Sequence, residues 1–137
     1  TAGTDCHAVV ETKRGHTLGR VLIGGSALPN TGIPGDISGY TIERLLRSPV
    51  EGIFEGRAEI GDAVKRGDTV AVVEGIPIRA EIDGILRGLL PSGIPVSKGM
   101  KAGDIDPRCE VSHCFTVSDK ALAVAGGVLE ALLALCP

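Results

Sequence analysis

The sequence has no tryptophan, and its aromatic side chains are limited to Tyr40, Phe54 and Phe115. It also lacks a basic stripe: the net charge is −3, and the charges are scattered along the chain. Nucleic-acid binding calls for a cationic surface or aromatic stacking platforms, so no nucleic-acid partner is expected. No long apolar run is present either. The most apolar stretch, 121–136, is short for a membrane span and contains Glu130, so it reads as a packed helix and not as a bilayer segment. There is no signal-peptide pattern. The first residue is Thr1, which suggests a fragment, a cleaved product or a trimmed chain. The four cysteines, Cys6, Cys109, Cys114 and Cys136, are too sparse for a disulfide scaffold. They read as reduced thiols of a cytoplasmic protein. No Ser-His-Asp order, HExxH, P-loop or paired-carboxylate motif stands out, so the reading leans away from an enzyme.

Glycine and proline, by contrast, are plentiful, at 20 and 8 of 137 residues. The apolar residues are mostly Val, Ile, Leu and Ala, which suits short strands around a β-rich core. A chain this long buries roughly two-thirds of its unfolded surface and folds without staples.

The strongest internal signal is a repeat offset by 32 residues. Gly52, Ile53, Gly56, Gly61, Val64 and Gly67 recur without a gap as Gly84, Ile85, Gly88, Gly93, Val96 and Gly99. Each half reads acidic-Gly-Ile, then Gly, then Gly-x-x-Val-x-basic-Gly. The segments between the glycines are short and β-rich, notably 69–74 and 76–82. We therefore expect a mainly β, α+β chain with a repeat-built barrel over 49–108, its halves spanning 51–74 and 83–106. Flanking segments fill 1–48 and 109–137. In the first, 8–12 and 18–24 form a hairpin around Lys13-Arg14-Gly15-His16-Thr17. Ser38 or Thr41 caps a short helix through about Arg47 that presents Ile42, Leu45 and Leu46, and Pro49 ends it. In the last, Ser118 caps a C-terminal helix. Gly126-Gly127 weakens that helix by roughly 1 kcal/mol per glycine unless a close contact needs them.

The repeat resembles the biotinyl/lipoyl domain, or barrel-sandwich hybrid. Gly61-Asp62-Ala63-Val64-Lys65-Arg66-Gly67-Asp68-Thr69-Val70 matches that family's Gly-Asp-x-Val-x-x-Gly-Asp-x-Leu stretch, and Val72-Val73-Glu74-Gly75-Ile76-Pro77-Ile78 follows. Carriers place their modified lysine in this second stretch, where Pro77 stands here. No lysine lies between Arg66 and Lys98, and the guanidinium of Arg79 is no substitute nucleophile. The resemblance thus implies carrier architecture without covalent biotin or lipoate. Over 4–39 (with Asp5-Cys6-His7, Asn30-Thr31-Gly32-Ile33-Pro34-Gly35) and over Cys114-Phe115-Thr116-Val117-Ser118-Asp119-Lys120 and Gly126–Ala131, the chain resembles YqeB-like proteins of the selenium-dependent molybdenum hydroxylase system. That resemblance implies an accessory or scaffold role in maturing a molybdenum hydroxylase. It also implies docking to a nucleotide-binding-like half that this chain does not contain, with self-association as the other outcome.

Several side chains are candidates for chemistry. Cys114 is a candidate thiolate nucleophile, with Lys120 or a helix N-terminus to stabilise it and Asp119 beside it; a buried small hydrophobe is the plainer reading. Such a nucleophile would make the protein a thiol enzyme or a handler of sulfur, selenium or metal. Cys109, His113 and Cys114 resemble part of a metal site but fall short of the four ligands of tetrahedral zinc, so no metal is expected. Lys13, Arg14 and His16 offer an anion site at a hairpin tip, or simply a solvated turn. Asn30 and Thr31 sit in a long loop that either binds or merely connects.

Overall fold

The computed structural model describes residues 1–136. The chain is mainly β with one C-terminal helix, and it divides into two compact units. One comprises Thr1–Ile33 with the described residues from Val117; the other is Pro34–Thr116.

In the first unit, β1 (Val9–Val10) and β2 (Val21–Leu22) pair antiparallel, Val9 opposite Leu22 and Val10 opposite Val21. The expected hairpin therefore forms. Beyond the ladder the pairing continues irregularly, with Gly19 and Arg20 together opposite Glu11: the Glu11 N–H donates to the Arg20 carbonyl at 2.9 Å and the Gly19 N–H to the Glu11 carbonyl at 2.8 Å. The helix α1 (Asp119–Leu135) starts where Ser118 accepts a hydrogen bond from the Ala121 N–H at 3.2 Å, as a capping serine should. Gly127 is buried in α1, and a β-carbon there would overlap the Gly19 carbonyl and the Val10 side chain. Gly126 meets open space. Of the two helix-weakening glycines, only Gly127 buys a close approach.

The second unit contains β3 (Leu45–Arg47), β4 (Gly52–Gly56), β5 (Ala63–Val64), β6 (Thr69–Val73), β7 (Ile76–Arg79), β8 (Gly84–Leu89), β9 (Pro95–Val96) and β10 (Lys101–Asp106). They form two antiparallel four-stranded sheets, ordered β3-β10-β8-β5 and β7-β6-β4-β9. A shift of 32 residues carries one order onto the other. Each sheet takes its two inner strands from one half of the repeat and its two outer strands from the other half. The two halves therefore interlock.

The equivalence extends to single hydrogen bonds. Gly61 N–H donates to Leu86 O and Gly93 N–H to Phe54 O, each at 2.8 Å. Gly67 N–H donates to Ala80 O and Gly99 N–H to Ser48 O, again at 2.8 Å. Of the four pairings of an outer with an inner strand, β7 with β6 and β3 with β10 also slip at matching places, between Thr69 and Ala71 and between Lys101 and Gly103. Gly61, Gly67, Gly93 and Gly99 all have positive φ, the conformation that glycine adopts without a β-carbon penalty. The core is built from equivalent residues as well: Phe54 with Leu86, Val64 with Val96, Val70 with Ala102, and Val73 with Ile105. Fully burying one Phe or Leu side chain contributes roughly 1.5–3 kcal/mol.

One element differs from expectation. Residues 41–47 do not form a helix: Ile42–Arg44 is a single 3-10 turn, Thr41 provides no side-chain cap, and Leu45–Arg47 is strand β3. Ser38 has φ 53, outside the range of a helix cap. The reason is tertiary. Leu45, Leu46 and Arg47 stand 32 residues before Pro77, Ile78 and Arg79, so β3 is the repeat partner of β7 and the repeat begins earlier than its glycines indicate. Pairing with β10 and burial of Leu46 outweigh the weak local helix preference.

Candidate functional site

The unusual chemistry of the second unit lies in its second half. Strand β10 carries Asp104 and Asp106, two residues apart and so on one face of the strand. Both are buried, Asp106 with no exposed surface. Burying a carboxylate is costly unless it is paired, and here partners converge on both. Asp106 accepts from Arg108 at Nη2 (2.6 Å), Nε (2.9 Å) and the backbone N–H (3.1 Å), and from Arg87 Nη1 at 3.4 Å. Asp104 accepts from Arg87 Nη2 at 2.7 Å, and Lys101 Nζ is 3.6 Å from its other oxygen. Arg44, itself buried, places Nη2 3.5 Å from Asp104 and donates to the carbonyls of Ile105 and Gly35.

The charges act on one another. The Arg108 side chain holds the Asp106 carboxyl far below the ordinary carboxylate range, against the opposing effect of burial. Burial, reinforced by Arg87, lowers the affinity of Arg44 for its proton, and Asp104 and Asp106 oppose that shift. Three arginines and a lysine around two aspartates leave the cluster cationic.

His113 joins this cluster. Its Nδ1 is buried, lies 3.6 Å from Asp106 Oδ2 and has no hydrogen-bond partner. The rest of the side chain is partly exposed. Neighbouring Cys114 is half-buried, and its thiol donates to the Leu86 carbonyl at 3.8 Å, a contact that requires the protonated form. Cys109 is exposed, with its Sγ 3.5 Å from the Pro107 carbonyl. Among the described residues, no group of three or more His, Cys, Asp or Glu side chains is placed to hold a metal ion, and all four cysteines are free.

The other candidates lie in the first unit. Arg14 forms a bidentate ion pair with Asp119, at 2.7 and 2.8 Å, joining the hairpin tip to the N-terminus of α1. Lys13 and His16 are exposed beside it, and Lys120 is half-buried. Glu11, unremarked in the sequence, is buried and accepts from the N–H groups of Lys13 and Leu28, both at 2.8 Å. Asn30 accepts from Gly32 N–H at 2.9 Å, and Thr31 Oγ1 from Ile33 N–H at 3.3 Å; these are local turn closures. Cys114 and Lys120 belong to different units.

Of the sequence candidates, His113 brings its side chain beside the charge cluster, and Cys109 meets it through its backbone N–H, which donates to the Asp106 carbonyl at 3.4 Å. The cluster's carboxylates and arginines were missed because Lys101–Asp106 reads first as the counterpart of Thr69–Glu74. The signal was the departure from the repeat: Asp104 replaces Val72, and Arg87 replaces Glu55.

No family model matches the chain. It is 52% identical over 135 residues to the Escherichia coli (strain K12) protein named "Uncharacterized protein YqeB". That match covers 98% of this chain and 25% of the relative, so the chain spans about a quarter of the curated protein it resembles. Among solved structures, an aspartoacylase family protein from Mesorhizobium loti matches 46% of this chain and 22% of its own, at 30% identity and a TM-score of 0.43. A likeness that partial carries no argument here. No described helix is long and apolar enough to cross a membrane.

Proposed function

We propose that this chain is a lipoyl-like module without a carrier site, serving as an accessory or scaffold in the maturation of a molybdenum hydroxylase. The observation that carries the non-carrier part is Pro77. It stands in β7, just past the Glu74-Gly75 turn that joins the two halves, where a carrier would present its lysine. The interlocked sheets and the matched hydrogen bonds support reading the second unit as a barrel-sandwich hybrid. The likeness to YqeB-like sequences over nearly the whole chain supports the pathway. The face of α1 bearing Leu122, Leu129 and Leu133 is exposed; we assign it to docking on the nucleotide-binding-like half of a longer polypeptide, which also offers a reason for a surface this apolar.

The test is deletion of the encoding gene in its host, followed by assay of the hydroxylase and of its molybdenum and selenium content. We expect reduced activity with altered metal or selenium loading. Normal enzyme with normal content removes the pathway assignment.

A second reading, a thiol-based enzyme using Cys114, draws on the placement of His113 beside Asp106, since a carboxylate commonly orients an imidazole that moves protons. Thiol titration tests it. Reaction of Cys114 with the pH dependence of an ordinary free thiol, and no loss of function in Cys114→Ser, would sink it.

A further inference from the structure

The outer strands β3 and β7 belong to different sheets but lie next to each other. A groove of about 520 Å³ runs there, lined by Ile42, Leu45, Arg47, Pro49, Pro77, Ile78, Arg79 and Glu81. That volume falls in the range of small-molecule sites, roughly 300–1,000 Å³. Three pairs in this lining are repeat partners: Leu45 with Pro77, Arg47 with Arg79, and Pro49 with Glu81.

The arginines are the telling pair. Arg47 Nη1 donates to the Gly99 carbonyl at 2.8 Å, and Arg79 Nη1 donates to the Gly67 carbonyl at 2.9 Å. These are equivalent bonds in the two halves. Each bond restrains one end of a guanidinium that carries five N–H donors, so most donors stay available. Neither arginine forms an ion pair among the described residues, unlike Arg14, Arg44, Arg57, Arg87 and Arg108. Two restrained cations that form no ion pair among the described residues thus flank a groove lined by both apolar and charged side chains. Pro49 and Pro77 stiffen its walls and lack the backbone N–H that an added β-strand would need. An extended peptide pairing along these edges is therefore a poor fit.

We propose that this groove binds a small linear dianion, two carboxylates joined by a short apolar spacer, with Arg47 holding one end and Arg79 the other. The planar guanidinium matches a carboxylate in a two-point fork. The spacer covers Leu45 and Pro77. Glu81 takes the place of Pro49 in the second half, which makes the groove asymmetric and weakens the hold on the dianion. This site is independent of any role in hydroxylase maturation.

The test is titration of the 137-residue chain with the α,ω-dicarboxylates from succinate to suberate, followed by amide chemical shifts, with hexanoate as the monoanionic control. We expect one spacer length to bind best and hexanoate to bind about tenfold or more weakly, as loss of one charge-assisted pair implies. Arg47→Gln and Arg79→Gln should each weaken the best ligand by about tenfold, with the fold retained and the melting temperature lowered by no more than about a few degrees. Glu81→Gln should tighten it by a few-fold. The proposal is overturned if no dicarboxylate binds below about 10 mM, a weak limit even for small ligands. It is equally overturned if hexanoate binds as well, or if either arginine variant retains full affinity.

Discussion

The two halves of the repeat share a backbone and differ in what they bury. Leu45–Glu74 and Pro77–Asp106 carry the same four strands, positive φ at Gly61 and Gly67 as at Gly93 and Gly99, and the same slip where the outer strand β7 or β3 pairs; the second half adds a slip between Asp104 and Ile105 against β8. In the first half, Val72 occupies the strand position that Asp104 takes in the second, and exposed Glu74 takes the place of buried Asp106. Glu74 accepts from the Ile53 N–H at 3.1 Å, whereas Asp106 sits under two arginines. The comparison separates two demands on one sequence. The shared glycines and core positions specify a strand arrangement, and both halves keep them. The cluster of Arg44, Arg87, Arg108, Asp104 and Asp106 is not needed for that arrangement, because the first half forms it without one.

The largest effects should come where the halves agree. Phe54→Ala and Leu86→Ala remove equivalent, fully buried side chains. Each should cost about 3–5 kcal/mol in urea unfolding, the leucine at the lower end. A cost confined to one variant would break the structural equivalence.

Where the halves differ, the costs should diverge. Asp106→Asn leaves Arg87 and Arg108 around an uncharged amide and should cost about 3 kcal/mol, as breaking a buried pair does. Glu74→Gln at the equivalent exposed position should shift the unfolding midpoint by a small fraction of that. Equal costs would show that the cluster is not the distinguishing feature of the second half.

The pH dependence follows from the same carboxylate. Its pKa is depressed in the folded state, so its contribution is complete above the unfolded value of about 3.9 and is lost as pH falls below it. Stability should decline below about pH 4 in the parent and decline less steeply in Asp106→Asn, as measured by thermal melts from pH 7 to pH 2. Parallel curves would place the acid-sensitive group elsewhere.

The smallest effect sharpens the symmetry once more. Arg47→Gln and Arg79→Gln each remove one exposed hydrogen bond to an equivalent glycine carbonyl. Each should cost about 1 kcal/mol or less, and the two should match.

Much of the fold was legible from the residues because it depends on local backbone chemistry. Gly61, Gly67, Gly93 and Gly99 mark turns that need positive φ, and Ser118 marks a helix start; these features act over a few residues. The short helix expected to run through Arg47 failed for the opposite reason. Leu45 and Leu46 satisfy a helical stripe and a strand equally well, and only the partner strand β10, more than fifty residues away, selects the strand. His113 was legible as a candidate, while Arg44, Arg87, Asp104, Asp106 and Arg108 were not, because they come from three separate segments.

By itself, then, the sequence determined a 32-residue repeat, its turns, the C-terminal helix and the lack of a lysine between Arg66 and Lys98. Each of these rests on residue identity within a short span. The tertiary structure alone decided that the halves exchange their outer strands, that β3 completes the repeat, and that two arginines flank one groove while three others surround two aspartates. Those outcomes depend on which distant strands bury one another, and a short window of sequence holds no record of that choice.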